Sequence, residues 1–522
     1  MSEVSKPAGW EQARLDDVAQ LVRGITFPTT AKGHEPGEGA VACLRTANVQ
    51  ADVEWDDLWY VPRDYVKHDE QYVQSGDVLI STANSYELVG KVARVKAPHQ
   101  EASLGAFISL LRAEAGVCST YFYYLMSSDS IQRAIREMAS TTTNLSNVSG
   151  GKLKELQLLI APSAEQTRIV EKLEELLSDL HAGMAELKAA QRKLVQYRQS
   201  LLKAAVEGSL TADWRAARTQ TGEPQETGTE LLQRILTERR ARWEANQLAR
   251  FAEQDKTPPK GWQTKYKEPV APDTTDLPAL PEGWVWASLD MLCEIQGGIQ
   301  KQPSRVPVAN KYPFLRVANV ARGRLKLDDV HEIELFGDEL ARLSLCKGDL
   351  LIVEGNGSLS EIGRCALWDG SIANAVHQNH LIRARPVLAA NEFIEAWLNS
   401  LRGIAKMTKL AATTSGLYTL SVGKISKIPV PLPPLDEQLA ATSILSTTLG
   451  EQTLQSEEID LALKQATAQR KNILKAAFAG QLVPQDPSDE PASVLLERIR
   501  TERSAEGKAI TRKRGRQAKE ST

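Results

Sequence analysis

The chain has 522 residues, enough for roughly three to four domain-sized units, and 42% of them are hydrophobic, which excludes wholesale disorder. Its 63 Lys and Arg side chains against 66 Asp and Glu give a net charge of -3, so any surface for a polyanion has to be local. Cys43, Cys118, Cys293, Cys346 and Cys365 are odd in number and form no CxxC pair, which argues against a disulfide framework or a zinc knuckle and for reduced thiols in the cytoplasm.

Residues 1–10 carry Glu3 and Lys6 and no apolar core, so no secretory signal is expected. No apolar run approaches the roughly 20 residues that span a bilayer, so no membrane is expected either. Residues 1–160 open with Gly9-Trp10 and mix short apolar runs at 77–81 and 106–112 with a turn-rich interval at 32–39 and a predicted helix over 120–138. That is an α+β pattern rather than alternating βαβ units. The polar stretch Thr141-Thr142-Thr143-Asn144 precedes a last apolar run ending at Pro162.

A long helix follows in residues 161–210. Leu173, Leu180, Leu187, Leu194 and Leu201 recur every seventh residue, with Leu176, Ala190, Tyr197 and Ala204 three residues after four of them. This heptad seam predicts a helix packed along another. Residues 213–228 read as a linker, and residues 230–251 as a charged amphipathic helix with Leu231, Leu232, Ile235 and Leu236 as its stripe. The Pro-rich residues 257–281 read as an extended connector.

Then the chain begins again. Gly283-Trp284 answers Gly9-Trp10, Leu315-Arg316-Val317-Ala318-Asn319-Val320 answers Leu44-Arg45-Thr46-Ala47-Asn48-Val49, and Gly348-Asp349 answers Gly76-Asp77. Glu165-Gln166 returns as Glu437-Gln438, and Leu202-Lys203-Ala204-Ala205 as Leu474-Lys475-Ala476-Ala477, both at an offset of 272. The second helix keeps Leu445, Ile459 and Ile473 in its seam but interrupts it with Thr448, Gln452, Gln455 and Gln469. A polar seam suits homotypic pairing poorly, so each helix is expected to be the other's partner. The organisation is thus a tandem duplication of a globular domain plus a helix, and internal two-fold symmetry matches that of duplex DNA.

Catalytic words are missing. Residues 416–424 have the wrong glycine spacing for a phosphate loop, and Ile425 stands where Ser or Thr would hold magnesium. His377 and His380 fall on opposite faces of a strand, which reads as ordinary side chains rather than metal ligands. No GxSxG, HExxH or Asn-Pro-Pro-aromatic word occurs. Asp77 and Asp349 follow glycine at a strand entry and read as turn residues.

The informative differences between the copies lie in two loop pairs. STANSYELVG at 81–90 stands against VEGNGSLSEIG at 353–363, and STTTNLS at 140–146 against ATTSGLYT at 412–419. Their Asn, Ser, Thr and Tyr side chains suit base edges and phosphates as well as turns.

Over nearly its whole length the chain resembles the specificity subunit of a type I restriction-modification system. The likeness rests on Ile160-Ala161-Pro162-Ser163-Ala164-Glu165-Gln166 and Leu432-Pro433-Pro434-Leu435-Asp436-Glu437-Gln438, and on the helix exits 202–208 and 474–480. It implies target-recognition domains at 1–160 and 282–432, helical regions at 161–256 and 433–505, a linker at 257–281 and a basic tail at 506–522. The helices would pair as an antiparallel coiled coil that holds the domains apart. From Leu173 to Ala204 the seam would extend about 48 Å at roughly 1.5 Å per residue, or some 14 base pairs. The expected partners are double-stranded DNA with a bipartite site, two modification subunits and restriction subunits. No cofactor is expected in this chain, with S-adenosylmethionine on the modification subunits and ATP and magnesium on the restriction subunits.

On that reading the DNA-contacting candidates are Asn84, Ser85 and Tyr86 with Asn356 and Ser358, and Thr142, Thr143 and Asn144 with Thr414, Ser415 and Tyr418, while Arg45 and Arg316 either position phosphate or brace a strand. The basic run Arg512-Lys513-Arg514-Gly515-Arg516 reads as a solvated end. The competing reading is a self-sufficient coiled-coil DNA-binding or scaffold protein.

Overall fold

The computed structural model describes residues 6–142, 145–221, 226–414 and 417–505. It divides into two compact units: the first runs to Lys188 and resumes at Asp460, and the second is Ala189–Ile459. Mixed helices and mainly antiparallel sheets make the fold α+β.

In the first unit the opening strand Glu11–Arg14 pairs antiparallel with the closing strand Gln157–Ile160, Glu11 opposite Ile160. Trp10 therefore lies beside the start of the helix Ser163–Val206. The main sheet orders Ala19–Arg23, Ile108–Ala113, Val78–Ser81 and Val92–Arg94. Val78–Ser81 is buried at every position, which is why it reads as a continuous apolar run rather than an alternation. A second sheet sets Ala40–Leu44 between Trp59–Pro62 and Ala102–Leu104.

The turn role expected of Asp77 is present, since its carboxylate accepts from the Gln74 amide at 2.6 Å after Gly76 has taken φ +87°. The carboxylate also receives two bonds from Arg112, both 2.8 Å, across the sheet. The helix expected over 120–138 is two helices, Ser119–Ser127 and Asp129–Met138. Ser128 breaks them with ψ 147°, its hydroxyl donating to the Leu125 carbonyl at 2.7 Å. The first helix buries Tyr121 to Met126 without a gap, whereas the second buries only Ile131 and Ile135. Two different faces are served, and one straight helix serves only one.

The distal helical segment completes this unit. Ala492, Leu495, Leu496 and Ile499 enter the same core as Trp10, Tyr121, Ile169 and Leu173. Arg168 pairs with Asp489 and Arg503 with Glu114.

The second unit repeats the plan. Val285–Ser288 pairs with Pro429–Leu432; the main sheet orders Cys293–Gly297, Leu381–Pro386, Leu350–Val353 and Cys365–Leu367; and Lys311–Leu315 sits between His331–Glu334 and Val376–His377. Arg385 grips Asp349 at 2.7 and 2.8 Å, and Ser400 separates the helices Asn391–Asn399 and Leu401–Leu410.

Two expectations are corrected here. Within the 213–228 interval read as a linker, Ala212–Thr221 is helical, with Asp213 in its first turn and Arg218 in its last, as the helix dipole favours. Arg215 of that helix pairs with Glu437, so tertiary anchoring overrides the polar composition. The connector 257–281 does not run free either: Trp262 stacks on Trp243 at 5.7 Å and meets Phe251 edge-on at 6.1 Å. Those rings belong to the helix Gly228–Glu253, which opens on a Thr227–Glu230 capping box and buries Leu231, Leu232 and Ile235.

The seam is buried unevenly. In the first unit Leu173 is buried and Leu180 packs with Ile473 and Leu474 of the helix Leu435–Ala477, while Leu187 is half-buried beside Ala466 and Gln469. In the second, Leu201 and Leu202 share a core with Leu445, while Leu194 and Ile459 are half-buried. Tyr197, expected in the seam, is 51% exposed. The stripe is fully covered where a domain core meets it and partly open elsewhere.

Candidate nucleic-acid interface

The two polar loops singled out in each half are far apart in sequence, and the fold brings each pair into one small sheet. In the first unit Ala83–Asn84 pairs with Ser146–Asn147, which pairs with Ser140–Thr141. In the second, Gly355–Asn356 pairs with Leu417–Thr419, which pairs with Ala412–Thr414. The registers agree as well: Asn84 faces Ser146, and Asn356 faces Tyr418. Divergent loops thus sit on one frame at one place in both halves.

The candidates differ in freedom. Ser85 and Tyr86 are exposed, Tyr86 by 49%, on a turn in which the Ser85 carbonyl accepts from Leu88 and Val89. Asn84 is half-buried; its carbonyl oxygen takes the Ser85 amide at 2.8 Å. Thr142 is exposed but spends its hydroxyl on the Leu145 carbonyl at 3.0 Å. Asn356 holds the Ser358 amide at 2.9 Å, and the exposed Ser358 hydroxyl meets that of Ser360 at 2.9 Å. Tyr418 is half-buried. Thr414, read as a loop residue, ends the strand Ala412–Thr414; Thr143, Asn144, Ser415 and the run 512–516 lie outside the described residues.

Arg45 and Arg316 both brace their own domains. Arg45 donates to the Asp57 carbonyl at 2.9 Å and to its carboxylate, and Arg316 binds the same two groups of Asp329 at 3.2 and 2.7 Å. The asparagine three residues on, Asn48 or Asn319, holds the arginine's backbone amide at 2.9 or 2.8 Å. The repeated word is therefore a structural staple at a sheet corner.

The Glu-Gln word is a second staple, and nothing local in the sequence reveals its partners. Gln166 donates to the Ala161 carbonyl at 2.9 Å and accepts from the Cys118 amide at 2.9 Å, which caps the helix Ser119–Ser127. Gln438 does the same between the Pro433 carbonyl, at 2.8 Å, and the Ala390 amide, at 2.8 Å. Each long helix is thereby locked to the domain that precedes it.

The groups with catalytic potential are turned to structure. Burial pushes the Cys43 thiol up to about 12 and raises those of Cys293 and Cys365 as well. His377 is fully buried, and desolvation, helped by Arg383, pushes its imidazole down to about 4. His380 stands at the surface, 3.8 Å from Glu354. Among the described residues no group of three or more His, Cys, Asp or Glu side chains is placed to hold a metal ion, and no helix is long and apolar enough to cross a membrane.

Residues 7–188 match the family described as "Type I restriction modification DNA specificity domain". The chain is 27% identical to the type I restriction enzyme EcoKI specificity subunit of Escherichia coli (strain K12), over 98% of this chain and 100% of that one. It is 24% identical to the StySPI specificity subunit of Salmonella potsdam over the same shares. A solved structure titled as the basis of complex assembly and conformational transition of the type I R-M system shares the fold, with a TM-score of 0.59 at 16% identity, over 91% of this chain and 99% of that one. Residues 7–188 thus match a type I restriction modification DNA specificity domain, and over nearly its whole length the chain is similar to specificity subunits of type I restriction-modification systems.

Proposed function

We infer that this chain is the non-catalytic, sequence-reading subunit of a type I restriction-modification complex, and that each unit reads one half of a bipartite DNA target. The observation that carries the reading is the paired loops: polar segments that differ between the copies converge on matching three-stranded sheets in identical register. Loops on a rigid frame are where recognition varies at least structural cost.

The two long helices act as an antiparallel coiled-coil spacer that fixes the distance between half-sites, and with the helices trailing them they dock two modification subunits. S-adenosylmethionine belongs to those subunits, and ATP and magnesium to the restriction subunits. This chain supplies address and scaffold in the cytoplasm. Its exposed loop residues meet base edges, while Arg45 and Arg316 shape the frame that carries them.

Coexpression with a modification subunit and mapping of N6-methyladenine tests this. The expected result is methylation at a split sequence, and replacement of Asn356 and Ser358 by alanine changes one half of it only. Methylation without a split motif, or uniform loss at both halves in the variant, overturns the reading.

A further inference from the structure

Each unit of the duplicated fold carries a concavity beside its second sheet, the two overlap at corresponding positions such as Trp59 and His331, and their linings differ in chemistry. In the first unit it is about 530 Å³, with Phe27, Lys32, Arg45, Trp59 and Phe107 in its wall. In the second it is about 370 Å³, with Lys301, Arg305, Phe314 and His331. The stations correspond by register: Cys43 faces Trp59 as Phe314 faces His331, and Ile25 bridges Gly105 as Ile299 bridges Gln378.

The rim residue is the informative one. The Phe107 carbonyl accepts from the Thr82 amide at 2.9 Å, at the entry to the small loop sheet, and the His380 carbonyl accepts from Glu354 at 2.9 Å in the same place. The backbone does the structural work in both, which leaves the side chains free to differ. Phe107 is 60% exposed, and on the adjoining loops Tyr86, Leu88 and Leu145 are 49%, 44% and 43% exposed. Four large apolar side chains in water around one loop sheet are not there for the core. At the counterpart station stand His331, beside Asp329 at 3.6 Å, and His380, beside Glu354 at 3.8 Å.

Cations accompany the aromatic wall. Lys32 lies 4.2 Å from the Trp59 ring centroid and Arg45 5.2 Å. An exposed phenyl next to fixed positive charge fits a polyanion that also offers an apolar group. On the major-groove edges of DNA the thymine 5-methyl is that group, everything else being hydrogen-bond donors and acceptors.

We propose that Phe107 is a base-reading residue of the first unit, its ring packed on the 5-methyl of a thymine while Lys32 meets the flanking phosphate, and that His380 reads the same station of the second half-site by hydrogen bonding. This rests on the half-site reading above. The test uses the full chain in complex with its modification subunit and duplexes carrying its mapped site, each thymine replaced in turn by uracil, which removes only the methyl. The half altered by the Asn356 and Ser358 substitutions is assigned to the second unit, and the other half to the first.

The wild-type complex is expected to bind about five- to tenfold more weakly to one uracil substitution in the first half, within the range of a single base-edge contact. Phe107→Ala, with an unchanged melt, is expected to bind thymine and uracil duplexes equally, and His380→Phe to alter the methylated motif in the second half only. A folded Phe107→Ala complex that keeps the wild-type preference for thymine overturns the proposal. So does a variant that loses its modification subunit but not that preference, which would make the patch a protein contact. A wild-type complex without any split-site preference overturns the half-site reading itself, and the assignment of Phe107 with it.

Discussion

Trp284 donates its indole N–H to Glu437 at 2.9 Å, and Trp10 makes the same bond to Glu165, also 2.9 Å. The carboxylates are otherwise served differently. Glu437 also accepts from Thr211 at 2.6 Å and pairs with Arg215, whereas one oxygen of Glu165 is buried without a hydrogen-bond partner among the described residues. Burial raises the Glu165 carboxyl above its ordinary range. Trp10→Phe removes the one hydrogen bond to a buried acid and is expected to cost about 1–3 kcal/mol; Trp284→Phe leaves two partners in place and should cost about 1 kcal/mol. Glu437→Gln should be the more damaging of the two Glu→Gln changes, because it leaves Arg215 without its charge. Chemical denaturation of the four variants gives the order, and equal losses at the two tryptophans would contradict it.

Asp77 is 1% exposed and carries both a turn amide and a two-bond Arg112 pair. Removing one partner of a buried pair leaves the other desolvated, so Asp77→Ala is expected to destabilise the first unit by about 3–5 kcal/mol. Replacing both residues, Asp77→Leu with Arg112→Met, should recover part of that loss. Hydrogen exchange at Val78–Ser81 reads the effect where it arises; protection unchanged in Asp77→Ala would show the pair to be idle.

Among the described residues Glu395 accepts only the Leu367 amide, at 3.2 Å, and burial pushes its carboxyl up to about 7. A carboxyl raised in the folded state holds a proton there that the unfolded chain has already lost. Between pH 4.5 and 7 its contribution to stability therefore falls as pH rises. Glu395→Gln should stabilise the second unit by about 1–3 kcal/mol at pH 8 and leave it nearly unchanged at pH 4.5. Melts of variant and wild type at the two pH values decide it, and a difference that does not grow with pH would refute the assignment.

Much of this was legible in the chain because it was periodic or repeated. The heptads and the doubled words mark the long helices and both domains, and polar side chains that differ between the copies point to the loops that converge on Asn84 and Asn356. The break at Ser128 was missed although Ser127-Ser128-Asp129-Ser130 interrupts the apolar run that ends at Met126, and although Ser400 stands at the same place in the second copy and caps its helix through the Gly403 amide at 3.2 Å. The grips of Arg112 on Asp77 and of Arg385 on Asp349 span 35 and 36 positions, beyond any local pattern. Nor does the stripe of Leu495, Leu496 and Ile499 disclose which core it enters. That the chain's distal helix completes the first domain is set by shape complementarity, which amphipathicity alone does not encode.

Leu173 and Leu187 occupy the same heptad position and have different surroundings. Leu173 is fully buried in a core that also holds Trp10, Ile169 and Leu474. Leu187 is half-buried and borders an open groove of about 420 Å³ with Met184, Ala466 and Ile473. Truncation of a packed leucine leaves a cavity that its neighbours only partly fill, so Leu173→Ala is expected to cost about 2–5 kcal/mol. At Leu187 the groove already admits water, the lost burial is smaller, and the same truncation should cost about 1 kcal/mol. Leu187→Lys should be tolerated by the isolated chain, since a lysine stem can lie along the groove with its ammonium in water. Thermal melts of the three variants test the gradient. Equal losses at Leu173 and Leu187 would mean that the seam is sealed evenly along its length and that the groove is closed in solution.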